Sequence, residues 1–314
     1  MSKGLFAQNI IAVIWDFDKT LSPHYMQTPL FQHYDVDESQ FWKEVQALPA
    51  YYKKAGINVH QDTCYLGHLL TYVRAGIMKG LSNALLREMG KKIDFYPGIP
   101  DIFDRLKKIL DSQKYQEIDL HLEHYVVSTG LAEMIRGSVV AEHLSGIWAS
   151  EFIETPAAPA FNPDTSPEPG EITQLAGCLD NTTKTRAIFE INKGVNKKEN
   201  ISVNDTIPES ERRVPIKNMI YIADGPSDVP SFSVICKHGG KAYAVYDTDS
   251  TARFSQVDDL QRSGRVDSYG PADYREGGHT DMWLKKYITA IADRIVDERR
   301  QALEKQIGKG PQHL

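Results

Sequence analysis

Two aspartates spaced two apart, Asp16 and Asp18, follow the apolar run Ile10 to Trp15 and precede Thr20. At a strand end, residues two apart project the same way, so both carboxylates can face one point. Adjacent carboxylates repel unless a cation or a shared proton relieves them. A hard cation with oxygen ligands, most simply Mg²⁺, would do so. A second acidic cluster, Asp224-Gly225-Pro226-Ser227-Asp228, directly follows another apolar run, Met219 to Ala223. Between them lie Ser128-Thr129-Gly130, after His124 to Val127, and Lys184 at a predicted helix start, where a cation is disfavoured. Each piece also has an ordinary reading. The first motif suits a strand-capping turn, Asp228 and Ser128 suit helix N-termini, and a single lysine is by default exposed.

The runs Ile10–Trp15, 124–127, 147–153, 219–223 and 242–246 read as strands. Helical stretches alternate with them, over residues 101–110, from 131 to about 144, from 181 past Ile191, to about 236, over 252–262 and from about 280 to 305. Such alternation predicts a doubly wound, mostly parallel α/β sheet covered on both faces. Ligands of such sheets sit beyond the carboxyl ends of the strands, so the three polar clusters are predicted to meet at one edge. Residues 22–96 are helical in character, with Phe41 to Val45 and Cys64 to Arg74 carrying helix spacing. Five prolines between Pro156 and Gly170 separate the strand 147–153 from a return strand over 171–179, which predicts a hairpin.

In this order the four pieces resemble the haloacid dehalogenase-like hydrolase superfamily, over roughly residues 8–22 and 97–250. The resemblance implies a Rossmann-like catalytic core of residues 1–21 and 97–314, with residues 22–96 as an inserted helical cap domain. It implies that Asp16 attacks the phosphoryl group and becomes an aspartyl phosphate. Asp18 would protonate the leaving oxygen and then activate water, and Thr20 would hold the nucleophile loop. Ser128, Thr129, Gly130 and Lys184 would grip the phosphoryl oxygens. Asp224 would complete a Mg²⁺ site with Asp16 and the backbone carbonyl of Asp18, while Asp228 would orient Lys184 or a water on the metal. Three carboxylates and a phosphate dianion repel by about 4 kcal/mol per unit-charge pair at contact, with an effective dielectric near 20. Mg²⁺ and Lys184 would offset this.

Insertion after the first motif is similar to the phosphoserine-phosphatase-like branch. Tyr25, however, stands where those enzymes carry a substrate-binding glutamate, and Ser227 stands for an asparagine, so phosphoserine is expected to be a poor substrate. His24, Tyr25, Arg74 and Lys79 are candidate cap contacts, and Lys193, Lys197 and Lys198 are rivals of Lys184. The expected function is Mg²⁺-dependent hydrolysis of a small phosphorylated metabolite. A phosphotransferase or phosphomutase, or a non-catalytic phosphometabolite-binding protein, are the alternatives.

The chain has 314 residues, long enough for one large domain or a core plus an accessory domain, and its 41% hydrophobic and 25% charged residues suit an ordinary globular protein. A net charge of −6 argues against a nucleic-acid surface. No segment reads as a membrane span or secretory signal. Three scattered cysteines suit free thiols in the cytoplasm.

Overall fold

A computed structural model describes residues 8–307. In chain order, β1 (Ile10–Trp15) is followed by α1 (Thr28–His33), α2 (Glu38–Lys53), α3 (Cys64–Arg74) and α4 (Asn83–Gly90), then α5 (Asp101–Lys107) and the short α6 (Gln113–Gln116). Next come β2 (His121–Leu131), α7 (Ala132–Gly137), β3 (Leu144–Ile153) and β4 (Gln174–Gly177). The rest holds α8 (Thr183–Lys193), β5 (Met219–Ala223), α9 (Val229–Lys237), β6 (Lys241–Tyr246), α10 (Thr251–Arg262), β7 (Ser268–Pro271) and α11 (His279–Ile307).

The strands form one sheet in the order β4-β3-β2-β1-β5-β6-β7. All neighbours are parallel except β3 and β4, which form the predicted antiparallel hairpin. Every residue of β1 is buried. Ile11, Val13 and Trp15 meet Ile102 and Phe103 of α5 and Leu284 and Ile288 of α11. Ile10, Ala12 and Ile14 meet Ile188 of α8, Phe232 of α9 and Val257 of α10 on the other side. Burying such a side chain stabilises the fold by about 1.5–3 kcal/mol each, so an all-apolar strand belongs in a two-sided core. From β1 the chain winds outward through β2 to β4, then returns to β5 and winds the other way. The direction switches between β1 and β5, and there the crevice opens.

The helices of residues 22–96 share a buried cluster with the α5 and α11 face, so they do not form a detached core. Tyr96 N–H donates to the Leu21 carbonyl at 2.9 Å, closing the base of the insertion. α4 and α7 touch backbone to backbone. A Cβ on Gly90 would lie 2.1 Å from the Met134 carbonyl oxygen, and one on Gly137 would lie 1.9 Å from that of Arg87. The hairpin is also stitched to the insertion, with Ile172 N–H donating to the Leu81 carbonyl at 2.8 Å.

Three expectations need correction. β2 does not stop at Val127 but runs through Ser128 to Leu131, because Leu131 still pairs with Ser150 of β3. The helix expected to reach about Leu144 ends at Gly137, followed by a 3₁₀ turn over Ala141–His143. β7 lies outside the runs read as strands: its Gly270 and Pro271 are tolerated because it is an edge strand paired with β6 alone. Among the described residues, no helix is long and apolar enough to cross a membrane.

Candidate active site

β1 and β5 deliver Asp16 and Asp224 to the two sides of the switch point. The sheet pairing continues one residue past β1, where Asp16 N–H donates to the Ile222 carbonyl at 2.9 Å. The chain then turns sharply. Thr20, Leu21 and Ser22 all donate to the Phe17 carbonyl, and Lys19 takes a left-handed φ of 62°. Tyr274 clamps this turn by donating its hydroxyl to the Thr20 carbonyl at 2.5 Å. The start of α8 is capped by Asp180, whose Oδ1 accepts from the N–H of Thr182 at 2.9 Å and of Thr183 at 2.7 Å. That cap leaves Lys184 free to turn inward, and its side chain is only 1% exposed.

Lys184 Nζ bridges Asp16 Oδ1 and Asp228 Oδ1, each at 2.8 Å. Burial alone would depress this ammonium group, but the carboxylates of Asp16 and Asp228 outweigh it and hold the lysine well above its ordinary range. The default reading of an exposed lysine is therefore wrong for Lys184. Its rivals are engaged elsewhere: Lys193 donates to the carbonyls of Val203 and Asp205, and Lys197 to that of Ser145. Lys198 is exposed. Asp228 is fully buried and also accepts from the Tyr221 hydroxyl at 2.6 Å and from Ser227 Oγ at 2.8 Å. Thr20 Oγ1 lies 3.4 Å from Asp16 Oδ2.

The carboxylates differ in their protonation. Burial, opposed chiefly by Lys184, pushes the Asp16 carboxyl up to about 6. Burial and then the charge of Asp16 push Asp18 up to about 8, although Met26 N–H donates to its Oδ1 at 2.8 Å. Asp224 is pushed up to about 7 by burial and by Asp16 and Asp228, despite Arg253 Nη1 at 3.0 Å from its Oδ2. Burial leads each of these shifts and the neighbouring carboxylates add to it, with Lys184 opposing at Asp16 and Arg253 at Asp224. One oxygen from each of Asp16, Asp224 and Asp228 lies within 4.8 Å of the others. A set of hard oxygen donors with surplus negative charge fits Mg²⁺. The carboxylate of Asp18 is not in this cluster, so any share it takes in a metal site falls to its backbone carbonyl.

Above this floor lies a cavity of about 550 Å³, into which Asp16, Asp18, Lys184 and Asp224 face together with Thr129 and Gly130. Ser128 is buried and does not line it; its Oγ accepts from Gly130 N–H at 3.0 Å. A Cβ on Gly130 would lie 2.2 Å from Met26 Cε, so a side chain there requires Met26 to shift. Of the four candidate cap contacts, Tyr25 alone lines the cavity. Arg74 reaches the Thr173 carbonyl on the hairpin, the Lys79 carbonyl accepts from Tyr34, and the His24 carbonyl accepts from Ser22. Sequence reading missed Lys19, Gln27, Trp42, Tyr65, Asn181 and Arg253, which also line the cavity. No spacing singles them out. The one available signal was Lys19, a bulky residue in a turn position that favours glycine.

No protein-family model matches the chain. A protein of Borreliella burgdorferi, known only as an uncharacterized protein, is 38% identical over 288 residues, covering 90% of this chain and 97% of that one. Among solved structures, a haloacid dehalogenase family hydrolase from Salmonella enterica serovar Typhi matches with a TM-score of 0.46 and 14% identity, over 76% of this chain. The present chain spans 63% of the length of that structure. A phosphoserine phosphatase, solved as a phospho-aspartyl intermediate analogue, matches with a TM-score of 0.47 and 16% identity, over 83% of this chain and 93% of its own. Likeness this distant carries no chemistry with it. The sheet observed here is the mostly parallel α/β sheet expected from the sequence, with the motif loops at its switch point.

Proposed function

We propose, for a chain that belongs to one family with its Borreliella burgdorferi relative, a phosphomonoesterase of the haloacid dehalogenase-like type acting on a small phosphorylated metabolite. One observation carries this reading: Asp16, held by the buried Lys184 at 2.8 Å, and Asp18 face the same cavity. Burial pushes both carboxyls up, Asp16 to about 6 and Asp18 further, to about 8, so Asp18 is the one that more readily holds a proton. A nucleophile beside an acid is what ester cleavage requires.

In this reading an Asp16 oxygen forms a bond to phosphorus as the ester P–O bond breaks, and the leaving oxygen takes the proton of Asp18. Asp18, now a carboxylate, removes a proton from water, which attacks the phosphorus and releases phosphate from Asp16. Lys184 keeps Asp16 ionised and aimed, and Asp228 with Tyr221 fixes Lys184. Asp16, Asp224 and Asp228, with the Asp18 carbonyl, would hold Mg²⁺, which when bound would offset the charge of the phosphate dianion. Residues 22–96 act as a cap that selects the leaving group, and the hydrogen bond between Tyr96 and Leu21 marks where it joins the core. The three free cysteines suit the cytoplasm, and a net charge of −6 suits a small ligand better than a nucleic acid.

Phosphate release from p-nitrophenyl phosphate and a panel of phosphorylated metabolites tests the proposal. Turnover should vanish with a chelator and return with Mg²⁺. Full activity in metal-free protein would remove the metal from the account, and no release from any ester would remove the activity.

A further inference from the structure

Two cations line the cavity beside the reacting carboxyls, and the chemistry above uses neither of them on the substrate. Lys19 and Arg253 face the main cavity and, with Asp224, also border a second cavity of about 200 Å³ that reaches Tyr246 and Ser250. They stand on the rim where the two cavities adjoin. Both are open to a ligand: Lys19 is half-buried, and the Arg253 side chain is 38% exposed. Both also sit where local preference opposes them. Lys19 has a φ of 62°, in the left-handed region that a glycine enters without strain and a lysine does not. Arg253 lies in the first turn of α10, at the positive end of the helix dipole, where a cation is disfavoured. Departures of this kind persist where the side chain does something that a relaxed residue would not.

The protein matches neither cation fully. Lys19 Nζ donates one of its three protons to the Pro23 carbonyl at 2.7 Å and lies 4.9 Å from the centre of the Tyr25 ring, with no carboxylate in ion-pair contact among the described residues. Arg253 places Nη1 on Asp224 Oδ2 at 3.0 Å, while its Nε and Nη2 have no partner among the described residues. Burial lowers the Lys19 ammonium from its ordinary range; Asp18 opposes this and the charge of Arg253 adds to it, so the two cations stand close enough to repel. An anion meeting both removes that repulsion and takes up their spare donors. The other acids of the two cavities are occupied elsewhere. Asp247 accepts from the Asp249 N–H at 3.1 Å and Asp62 from Asn181 at 2.8 Å, and neither pairs with Lys19 or Arg253. Tyr25 and Trp42, with ring centroids 4.9 Å apart, offer an apolar wall to a short carbon chain.

Building on the phosphomonoesterase reading, we propose that Lys19 and Arg253 form a second anion site, so that the substrate is a short-chain phosphomonoester whose leaving group carries a carboxylate or a second phosphate. The test compares four esters on one carbon skeleton, in the presence of Mg²⁺: propyl phosphate, 3-(phosphonooxy)propanoate, propane-1,3-diol bisphosphate and 3-aminopropyl phosphate. In the wild-type protein kcat/KM for the better of the two anionic esters should exceed that for propyl phosphate by about 10- to 100-fold, the size of charge-assisted hydrogen bonds gained, and which of the two is better identifies the anion. Lys19→Gly keeps the left-handed turn without strain and should still fold, yet it should lower that ratio about 3- to 10-fold, as should Arg253→Gln. Equal rates for propyl phosphate and both anionic esters in wild-type protein would overturn the proposal without recourse to any variant. So would a preference for 3-aminopropyl phosphate. A ratio that neither variant lowers, with all esters slowed alike, would assign the two cations to the transferring phosphate and overturn it too. Failure of the phosphatase reading looks different, because then p-nitrophenyl phosphate is not hydrolysed at all. In that case calorimetric titration with the same four esters decides: tighter binding of an anionic ester that Lys19→Gly weakens supports the second site, and equal binding of all four overturns it.

Discussion

The floor and the roof of the cavity are built on different principles. On the floor, Asp16, Lys184 and Asp228 share hydrogen bonds of 2.8 Å, Tyr221 and Ser227 also donate to Asp228, and Arg253 holds Asp224. Asp16, Lys184 and Asp228 are buried against one another, so removing one strands its neighbours. The roof has neutral amides and aromatic rings from α2, α3 and the turn before α1, with Trp42 and Tyr65 5.7 Å apart between ring centroids. Under the proposed function, a change there should alter which leaving group fits while leaving the reacting carboxyls in place. Rate would then fall to residues around 16–20, 184 and 224–228, and selectivity chiefly to the cavity-lining residues of 25–65.

The comparison breaks most visibly at Lys184. Lys184→Met leaves Asp16 and Asp228 without their shared cation. Turnover should fall about 10³-fold or more, and metal-free protein should lose about 3–5 kcal/mol of unfolding free energy in a urea titration. A variant with near-normal turnover would mean that the floor charges act independently.

A smaller effect follows from the protonation of the floor. Asp18 binds its proton up to about pH 8 in the native protein, against an ordinary value of 3.8, and Asp16 and Asp224 are shifted the same way, to about 6 and about 7. Across that window the native state binds more protons than the unfolded state, so stability must fall as pH rises. Chelator-treated protein should melt at a lower temperature near pH 8 than near pH 5, and Asp18→Asn should flatten the slope. A melting temperature that rises over this range would contradict the assigned protonation.

The roof gives the smallest effects. Trp42→Ala should raise KM for an aryl phosphate about 2- to 10-fold with little change in kcat, the size of a lost aromatic contact. Arg74→Ala, whose side chain reaches the hairpin and not the cavity, should change neither. Equal effects of the two would blur the distinction between roof and surface.

This division also governs what could be read from sequence. The floor was legible because its chemistry demands particular residues at strand ends, and the bounds of β1 and β5 fell where the apolar runs Ile10–Trp15 and Met219–Ala223 stop. Lys184 was legible as an oddity, a cation at a helix start. Ser128 was misjudged relative to its strand because the length of β2 is set by pairing with β3, a tertiary fact that no local pattern carries. Asn181 and Arg253 meet single partners brought together by the fold. Arg253 meets Asp224 from 29 residues away, after α9 and β6 have intervened.

The claim that Asp16 is the nucleophile and Asp18 the acid and base is tested most directly by trapping the intermediate. Asp18→Asn keeps the nucleophile but loses the group that activates water. With an aryl phosphate, whose leaving group needs little protonation, the first step should survive and the second should stall. Acid-quenched Asp18→Asn protein should carry phosphate on the peptide containing Asp16, removable by hydroxylamine, while Asp16→Asn should carry none. An adduct on Ser128 or on residue 18, or normal turnover by Asp16→Asn, would contradict the mechanism.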